Sequence, residues 1–158
     1  MQIWFTLEKL IKIIFIIVSI VVVATLGSIF VNLGMDWYAT LIKPSQWIPD
    51  ILIPIMWTII YITFGIILSI WVSKSNLPAN TLVLLIINGV LNVLWCLLFF
   101  TFNLTFVGNI AILLNLIFAT LLLINIFNQN KIYAYILAIY PTWVIIATTL
   151  NTALWILN

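Results

Sequence analysis

The sequence predicts an all-α integral membrane protein, a single bundle of five transmembrane helices. Of its 158 residues, 66% are hydrophobic and only 5% are charged, which is too few charges for the surface of a soluble domain. Several apolar runs are long enough to cross a bilayer as helices. Residues 82–87 are continuously apolar, whereas a strand of an outer-membrane barrel alternates apolar and polar residues.

The predicted spans follow one another along the chain as one domain, residues 1–158, with no repeat, linker or second domain. They cover residues 10–31, 51–73, 81–102, 106–127 and 132–157. Lys9 and Lys12 precede the first apolar run, as they would in a signal peptide. That run is long for a signal peptide and no convincing cleavage site follows Ala24, so a retained helix is favoured. The polar and aromatic residues 32–50 are predicted to form a loop.

The lysines predict the orientation of the bundle. Five spans place four lysines on one side of the membrane: Lys9, Lys12, Lys74 and Lys131. The other side has only Lys43, accompanied by Asp36 and Asp50. Because cytosolic loops are enriched in positive charge, we expect the N-terminus in the cytosol and the loop 32–50 outside.

The composition excludes several classes of function. There is no His and only one Cys, Cys96, which excludes a metal site of His and Cys clusters and an internal disulfide. The net charge of +2 is small and scattered, which argues against nucleic-acid binding. The five spans contain no Asp, Glu, Arg or His, which argues against an ion-coupled pump or a voltage sensor. A receptor or carrier for an apolar ligand remains open.

Aromatic and amide side chains in helical register are the candidates for a ligand site. Three stripes share this spacing, one each on the second, third and fifth spans: Trp57, Tyr61, Phe64 and Leu68; Asn88, Asn92 and Trp95; and Trp143, Ala147, Leu150 and Leu154. For any single stripe, core packing and interhelical hydrogen bonding are the simplest interpretation. Three stripes of the same mixture favour a pocket for a large, planar and mostly apolar ligand.

Three motifs resemble those of the translocator protein family, also called the TspO/MBR family of tryptophan-rich sensory proteins or peripheral-type benzodiazepine receptors. They are WYATLIKP at 37–44, LNVLW at 91–95 and ATTLN at 147–151. The likeness extends from about Gly27 to the last residue. It implies five tightly packed helices, commonly as a homodimer in a bacterial or mitochondrial outer membrane. It also implies binding of porphyrins such as protoporphyrin IX, and in some members of sterol and benzodiazepine-type ligands, with no cofactor required.

The resemblance also assigns residues to a pocket beneath the first loop. Its implied lining comprises Tyr38, Trp57, Tyr61, Asn88, Asn92, Trp95, Trp143, Ala147 and Leu150. Its implied lid comprises Trp37, Lys43, Pro44, Trp47 and Pro49. The function expected on this basis is that of a membrane receptor or carrier for tetrapyrroles with a regulatory or transport role. Two alternatives stay open: a light-dependent porphyrin-degrading enzyme that uses Trp57 and Trp143, and a structural or interaction subunit whose aromatic faces only pack.

The sequence departs from the family pattern at several points. The family's KPxWxPP reads KPSQWIP at 43–49, so its Trp is displaced by one residue and one Pro is lost. The Gln of the family's QLxLN is the shorter amide Asn88, and the Pro of PYxxW has moved to Pro141. No basic residue follows Asn151, so sterol binding is the least supported of the implied properties.

Overall fold

The computed structural model describes residues 2–44 and 48–158, with their side chains from residue 7 onward. Within these ranges the regular structure is entirely helical: α1 (Gln2–Leu33), α2 (Met35–Thr40), α3 (Leu52–Lys74), α4 (Ala79–Cys96), a π-helical turn (Leu97–Thr101), α5 (Thr105–Gln129), α6 (Lys131–Leu137) and α7 (Ile139–Leu157). Five stretches are long and apolar enough to cross a membrane: Leu7–Leu33, Leu52–Lys74, Ala79–Thr101, Thr105–Gln129 and Lys131–Leu157. The predicted fold class is confirmed.

Two predicted boundaries differ from the structure. The first helix occupies Gln2–Leu33 rather than 10–31, so the helical winding continues through the flanking residues 2–9 and 32–33. The segment 32–50 was expected to be a loop, but Met35–Thr40 within it forms α2. Asp36 lies in the first turn of this helix, where a negative charge is favourable, and Tyr38 is buried beneath it.

The spans form a closed ring of neighbours. Helix α1 packs against α3 and α4, α4 packs against α5, and α5 packs against α7. The ring closes where α3 meets α6 and α7. Around the bundle the order is therefore α1, α3, the α6–α7 pair, α5 and α4. Helix α1 contacts two other spans, those of α3 and α4.

The π-helical turn that ends the third span fits closely against two glycines. The turn is wider than an α-helix: the Phe102 N–H donates at 3.0 Å to the carbonyl of Leu97, five residues earlier rather than four. A Cβ on Gly34 would lie 2.0 Å from the carbonyl oxygen of Phe100, and one on Gly108 would lie 2.8 Å from the Cβ of Phe99. Neither position has room for a side chain, so the turn packs directly on the junction of α1 and α2 and on α5.

The fifth span is broken at Ala138, between α6 and α7. Pro141 has no N–H to offer the carbonyl of Leu137 four residues earlier, and its ring crowds that carbonyl. Directly after the break, Tyr140 lies in the interior of the bundle, where its side chain is buried.

Hydrogen bonds between side chains join α4, α5 and α7. The Trp95 Nε1–H donates to Asn151 Oδ1 at 3.0 Å, and the Thr152 hydroxyl donates to Asn109 Oδ1 at 2.8 Å. Nearer the other end of the bundle, the Thr81 hydroxyl donates to Asn125 Oδ1 at 2.7 Å. These bonds satisfy amides that would otherwise be costly to bury in an apolar surrounding.

Candidate ligand-binding cavity

A cavity of about 410 Å³ lies between α1, α3 and α4, with Leu122 of α5 and Tyr140 of α7 behind it. Its walls are mostly aliphatic and aromatic, and no charged side chain of the described residues lines it. Helix α3 contributes five residues: Trp57, Ile60, Tyr61, Phe64 and Leu68. This combination of apolar walls and a few polar groups is typical of a small-molecule site.

The outer end of the cavity, meaning the end nearer the segment 32–50, combines two aromatic rings with an amide. Trp57 and Tyr61 stack with their ring centroids 5.9 Å apart, and the Tyr61 hydroxyl donates to Asn92 Oδ1 at 3.0 Å. Asn92 is only 3% exposed, and its Nδ2 has no hydrogen-bond partner among the described residues. A buried donor without a partner costs about 1–3 kcal/mol. A ligand with an acceptor at this point would remove that cost.

The back wall of the cavity is a hydrogen-bonded cluster centred on Tyr140. The Tyr140 hydroxyl lies 3.2 Å from Asn88 Oδ1 and 3.0 Å from Asn115 Oδ1. The Asn88 Nδ2 donates to the carbonyls of Leu84 at 2.7 Å and Phe118 at 3.1 Å. Because a phenol has one proton, Tyr140 donates to one carbonyl at a time, and both amides serve to orient it.

The structure separates the predicted lining into two groups. Trp57, Tyr61, Asn88 and Asn92 line the cavity. The other five, Tyr38, Trp95, Trp143, Ala147 and Leu150, are not among its lining residues. The assignment of all nine to one ligand site stays a prediction.

Four members of the second group belong to the hydrophobic core beside the cavity: Tyr38, Trp95, Trp143 and Ala147. Trp95 connects the two groups, since its ring centroid is 6.1 Å from that of Trp57. Trp143 and Ala147 are buried and Leu150 is half-buried. The Trp143 Nε1–H has no hydrogen-bond partner among the described residues, so this indole packs in the core without using its donor.

Side-chain contacts hold the predicted lid against the outer end of the bundle. Trp37 packs edge-on against Phe99, 5.5 Å between centroids. Lys43 Nζ lies 4.4 Å from the centroid of the Tyr38 ring and 3.7 Å from Asp50 Oδ2. Of the two lid prolines, Pro44 is half-buried and Pro49 is exposed. Trp47 lies outside the described residues.

Sequence patterns missed the contribution of α1 to the cavity. This helix supplies Phe15, Ile16, Ser19, Ile20 and Val23, among others, but it is apolar all round and shows no stripe. The signal that could have indicated its position is the pair of glycines opposite it. A Cβ on Gly65 would lie 3.9 Å from Ile20 Cδ1, and one on Gly89 would lie 3.3 Å from Val23 Cγ2. Tyr140 was noted only as part of a motif.

The described residues include no group of three or more His, Cys, Asp or Glu that could hold a metal ion. The polar groups at the cavity are neutral: the amides of Asn88 and Asn92, the hydroxyls of Ser19, Tyr61 and Tyr140, and the indole of Trp57. The arrangement can therefore bind and orient an apolar molecule through hydrogen bonds and ring contacts.

Comparison with known proteins gives three matches. Residues 15–156 match the model of the TspO/MBR family. The tryptophan-rich protein TspO of Chlorobaculum tepidum is 34% identical over 136 residues, which cover 84% of this chain and 86% of that protein. The tryptophan-rich protein TspO of Archaeoglobus fulgidus is 28% identical over 152 residues, which cover 95% of this chain and 99% of that protein.

Proposed function

The chain belongs to the TspO/MBR family, and we propose that it binds a tetrapyrrole such as protoporphyrin IX in the cavity between α1, α3 and α4. Membership supports a regulatory role in a membrane through tetrapyrrole or sterol binding in general. The five apolar spans make the chain a multi-pass integral membrane protein. The proposed role is that of a receptor or carrier.

The observation that supports this proposal best is the Asn92 amide at the outer end of the cavity. Its free Nδ2–H lies beside the stacked rings of Trp57 and Tyr61. A tetrapyrrole is flat and apolar over most of its area, so it can stack on such rings. Its carboxylates or ring nitrogens offer acceptors for the amide. An aliphatic ligand without acceptors would leave this donor unsatisfied.

The proposed orientation places the N-terminus in the cytosol. Two of the four lysines assigned to that side are held at one end of the bundle by polar contacts. Lys9 Nζ donates to the Ser73 carbonyl at 2.6 Å, and Lys12 Nζ donates to Asn76 Oδ1 at 2.9 Å. On the positive-inside rule this end faces the cytosol, and the outer end of the cavity, with Asn92, faces away from it.

A titration of the purified protein in detergent tests the proposal. Protoporphyrin IX should quench the tryptophan fluorescence saturably at micromolar concentration, because Trp57 lines the cavity. Asn92→Leu should weaken binding about 2- to 12-fold, the value of one hydrogen bond of about 0.5–1.5 kcal/mol.

Asn109→Leu is the matched control, since Asn109 is equally buried at 4% and does not line the cavity. It should leave the affinity of the folded protein unchanged, with the folded fraction checked by the thermal midpoint. Absence of saturable quenching by the wild type would refute tetrapyrrole binding. An equal loss of affinity in both variants would refute the role of Asn92.

A further inference from the structure

The lining of the cavity continues onto the surface that faces the lipid. Three apolar residues of α1 line it although their side chains are exposed: Phe15, Val18 and Val22. Three exposed residues of α4 do the same: Leu82, Ile86 and Val90. These positions are three and four residues apart on α1 and four residues apart on α4, so each set forms one edge of its helix. The two edges flank the contact between α1 and α4, so the cavity is open to the side between these helices.

The outer end of the cavity, in contrast, is closed by packed aromatic rings. The centroids of Tyr38 and Phe100 are 5.5 Å apart, those of Phe100 and Trp95 are 5.9 Å apart, and those of Trp95 and Trp57 are 6.1 Å apart. None of the described residues between 34 and 50 lines the cavity. The Ile42 N–H donates to Asn158 Oδ1 at 2.9 Å, and Asn158 Nδ2 donates back to the Ile42 carbonyl at 3.0 Å, which fastens the loop above these rings.

The contact between α1 and α4, called the seam from here on, has no hydrogen bond in its middle among the described residues. Among the described residues, no hydrogen bond joins positions 13–29 of α1 to another helix. The bonds that do join α1 to its neighbours lie towards its ends, at Lys9, Lys12 and the Phe30 carbonyl, which accepts from Thr101 at 3.0 Å. In its middle α1 is held by apolar contact alone. Such contacts can separate without exposing an unpaired polar group to lipid.

We infer that the cavity exchanges its ligand with the hydrocarbon phase of the membrane, through the gap between α1 and α4. This inference deepens the proposed function, because it concerns the same cavity and narrows the class of ligand. The ligand dissolves in the bilayer, is flat enough to pass between two helices, and has an acceptor at its leading end for Asn92. A molecule that keeps its charge is excluded at this entrance, since its passage would desolvate that charge among valine, isoleucine and leucine side chains; the carboxyl groups of a tetrapyrrole would cross in their neutral, protonated form.

Photolabelling in vesicles tests the route without a tetrapyrrole. The protein is reconstituted in phosphatidylcholine vesicles, a small uncharged aryl diazirine is added to the lipid, and the sample is photolysed after increasing times. Mass spectrometry then locates the label. In the wild type, Tyr61 and Phe64 inside the cavity should be labelled as early as the lipid-facing Ile62 and Ile66 of the same helix.

A plug variant and its matched control decide the outcome. Val22→Phe with Val90→Phe fills the gap from both sides, since these valines line it and are 48% and 59% exposed. Val21→Phe with Val83→Phe adds the same rings at valines that are 55% and 54% exposed and do not line the cavity. The plug should slow labelling of Tyr61 and Phe64 by about tenfold or more, because overpacked rings must move aside for each passage.

Several results would overturn the inference. The plug variant could be labelled inside the cavity as fast as the control, or a charged diazirine in the external water could label Tyr61 and Phe64 as fast as the lipid-dissolved one. Labelling of the lipid-facing residues and the thermal midpoint verify that each variant is folded. If the double plug does not fold, Val18→Phe against Val21→Phe makes the same comparison on α1 alone. Failure of the porphyrin titration would refute the proposed ligand and leave this result intact.

Discussion

Replacing Gly34 by Ala should destabilise the protein strongly, although Ala is the smallest possible addition. The new Cβ would lie 2.0 Å from the carbonyl oxygen of Phe100, where ordinary contacts are about 3.5 Å or longer. The junction of α1 and α2 would have to move by about 1.5 Å from the π-helical turn, and both partners are backbone. Overpacking costs typically about 1–3 kcal/mol, and we expect the upper end here because no flexible side chain can give way.

Gly27→Ala, inside α1, is the control. Its Cβ would lie 3.6 Å from Cys96 Sγ, which is an ordinary contact, and Ala is favoured over Gly within a helix by about 0.8–1.0 kcal/mol. We therefore expect Gly27→Ala to leave the stability unchanged or slightly raised. The two alanines should differ by about 3–4 kcal/mol, the sum of the two effects.

Thermal unfolding in detergent, followed by near-ultraviolet circular dichroism, measures this difference. For a chain of this size, 1 kcal/mol corresponds to about 2–4 °C in the midpoint, so Gly34→Ala should melt about 6–12 °C below the wild type. Because Phe99 and Phe100 belong to the displaced turn, the aromatic signal should also change before unfolding. Equal midpoints for Gly34→Ala and Gly27→Ala would refute the close backbone contact on which this reasoning rests.

Three further outcomes are expected. Tyr140→Phe should lower the stability by about 1–3 kcal/mol, because the amide carbonyls of Asn88 and Asn115 lose their donor; Tyr135→Phe, at an exposed position, should have no effect on the thermal midpoint. Under illumination, the absorbance of bound porphyrin should fall equally fast in the wild type and in Trp57→Phe, because the Trp57 indole is proposed only to line the cavity. A slower fall in the variant would instead assign the indole a role in electron transfer. A protease-cleavable tag at the N-terminus should be cut only from the cytosolic side of sealed vesicles, and cleavage from the other side would reverse the proposed orientation.

The number of membrane-spanning segments and their helical class could be predicted from the sequence because hydropathy alone determines them. A bilayer admits a backbone only where its polar groups are hydrogen-bonded internally, so a long, continuously apolar run can cross it only as a helix. The finer breaks depend on single residues. The division of the fifth span at Ala138 follows from Pro141 and was readable in principle, whereas α2 is six residues long and is held in place by the burial of Tyr38.

The cavity could be predicted only in part, because helical register shows which residues share a face and does not show what that face meets. The stripes on the second and third spans placed Trp57, Tyr61, Asn88 and Asn92 together, and the structure brings all four to the cavity. The stripe on the fifth span faces packed core at Trp143, a distinction that periodicity cannot make. The role of α1 depends on which side of an evenly apolar helix meets the glycines of α3 and α4, and this is a property of the assembled bundle.

The length of α1 makes the bundle sensitive to the thickness of its membrane. Its uncharged apolar part, residues 13–31, has 19 residues and is therefore about 28 Å long, close to the hydrocarbon thickness of a bilayer of about 30 Å, so a thinner bilayer creates a mismatch. Tilting relieves such a hydrophobic mismatch at modest cost, and α1 is the span that can tilt, because its middle has no hydrogen bond to another helix among the described residues. A change in tilt alters the distance between α1 and α4 along their seam. The lipid composition of the membrane therefore helps to determine the width of the gap between α1 and α4.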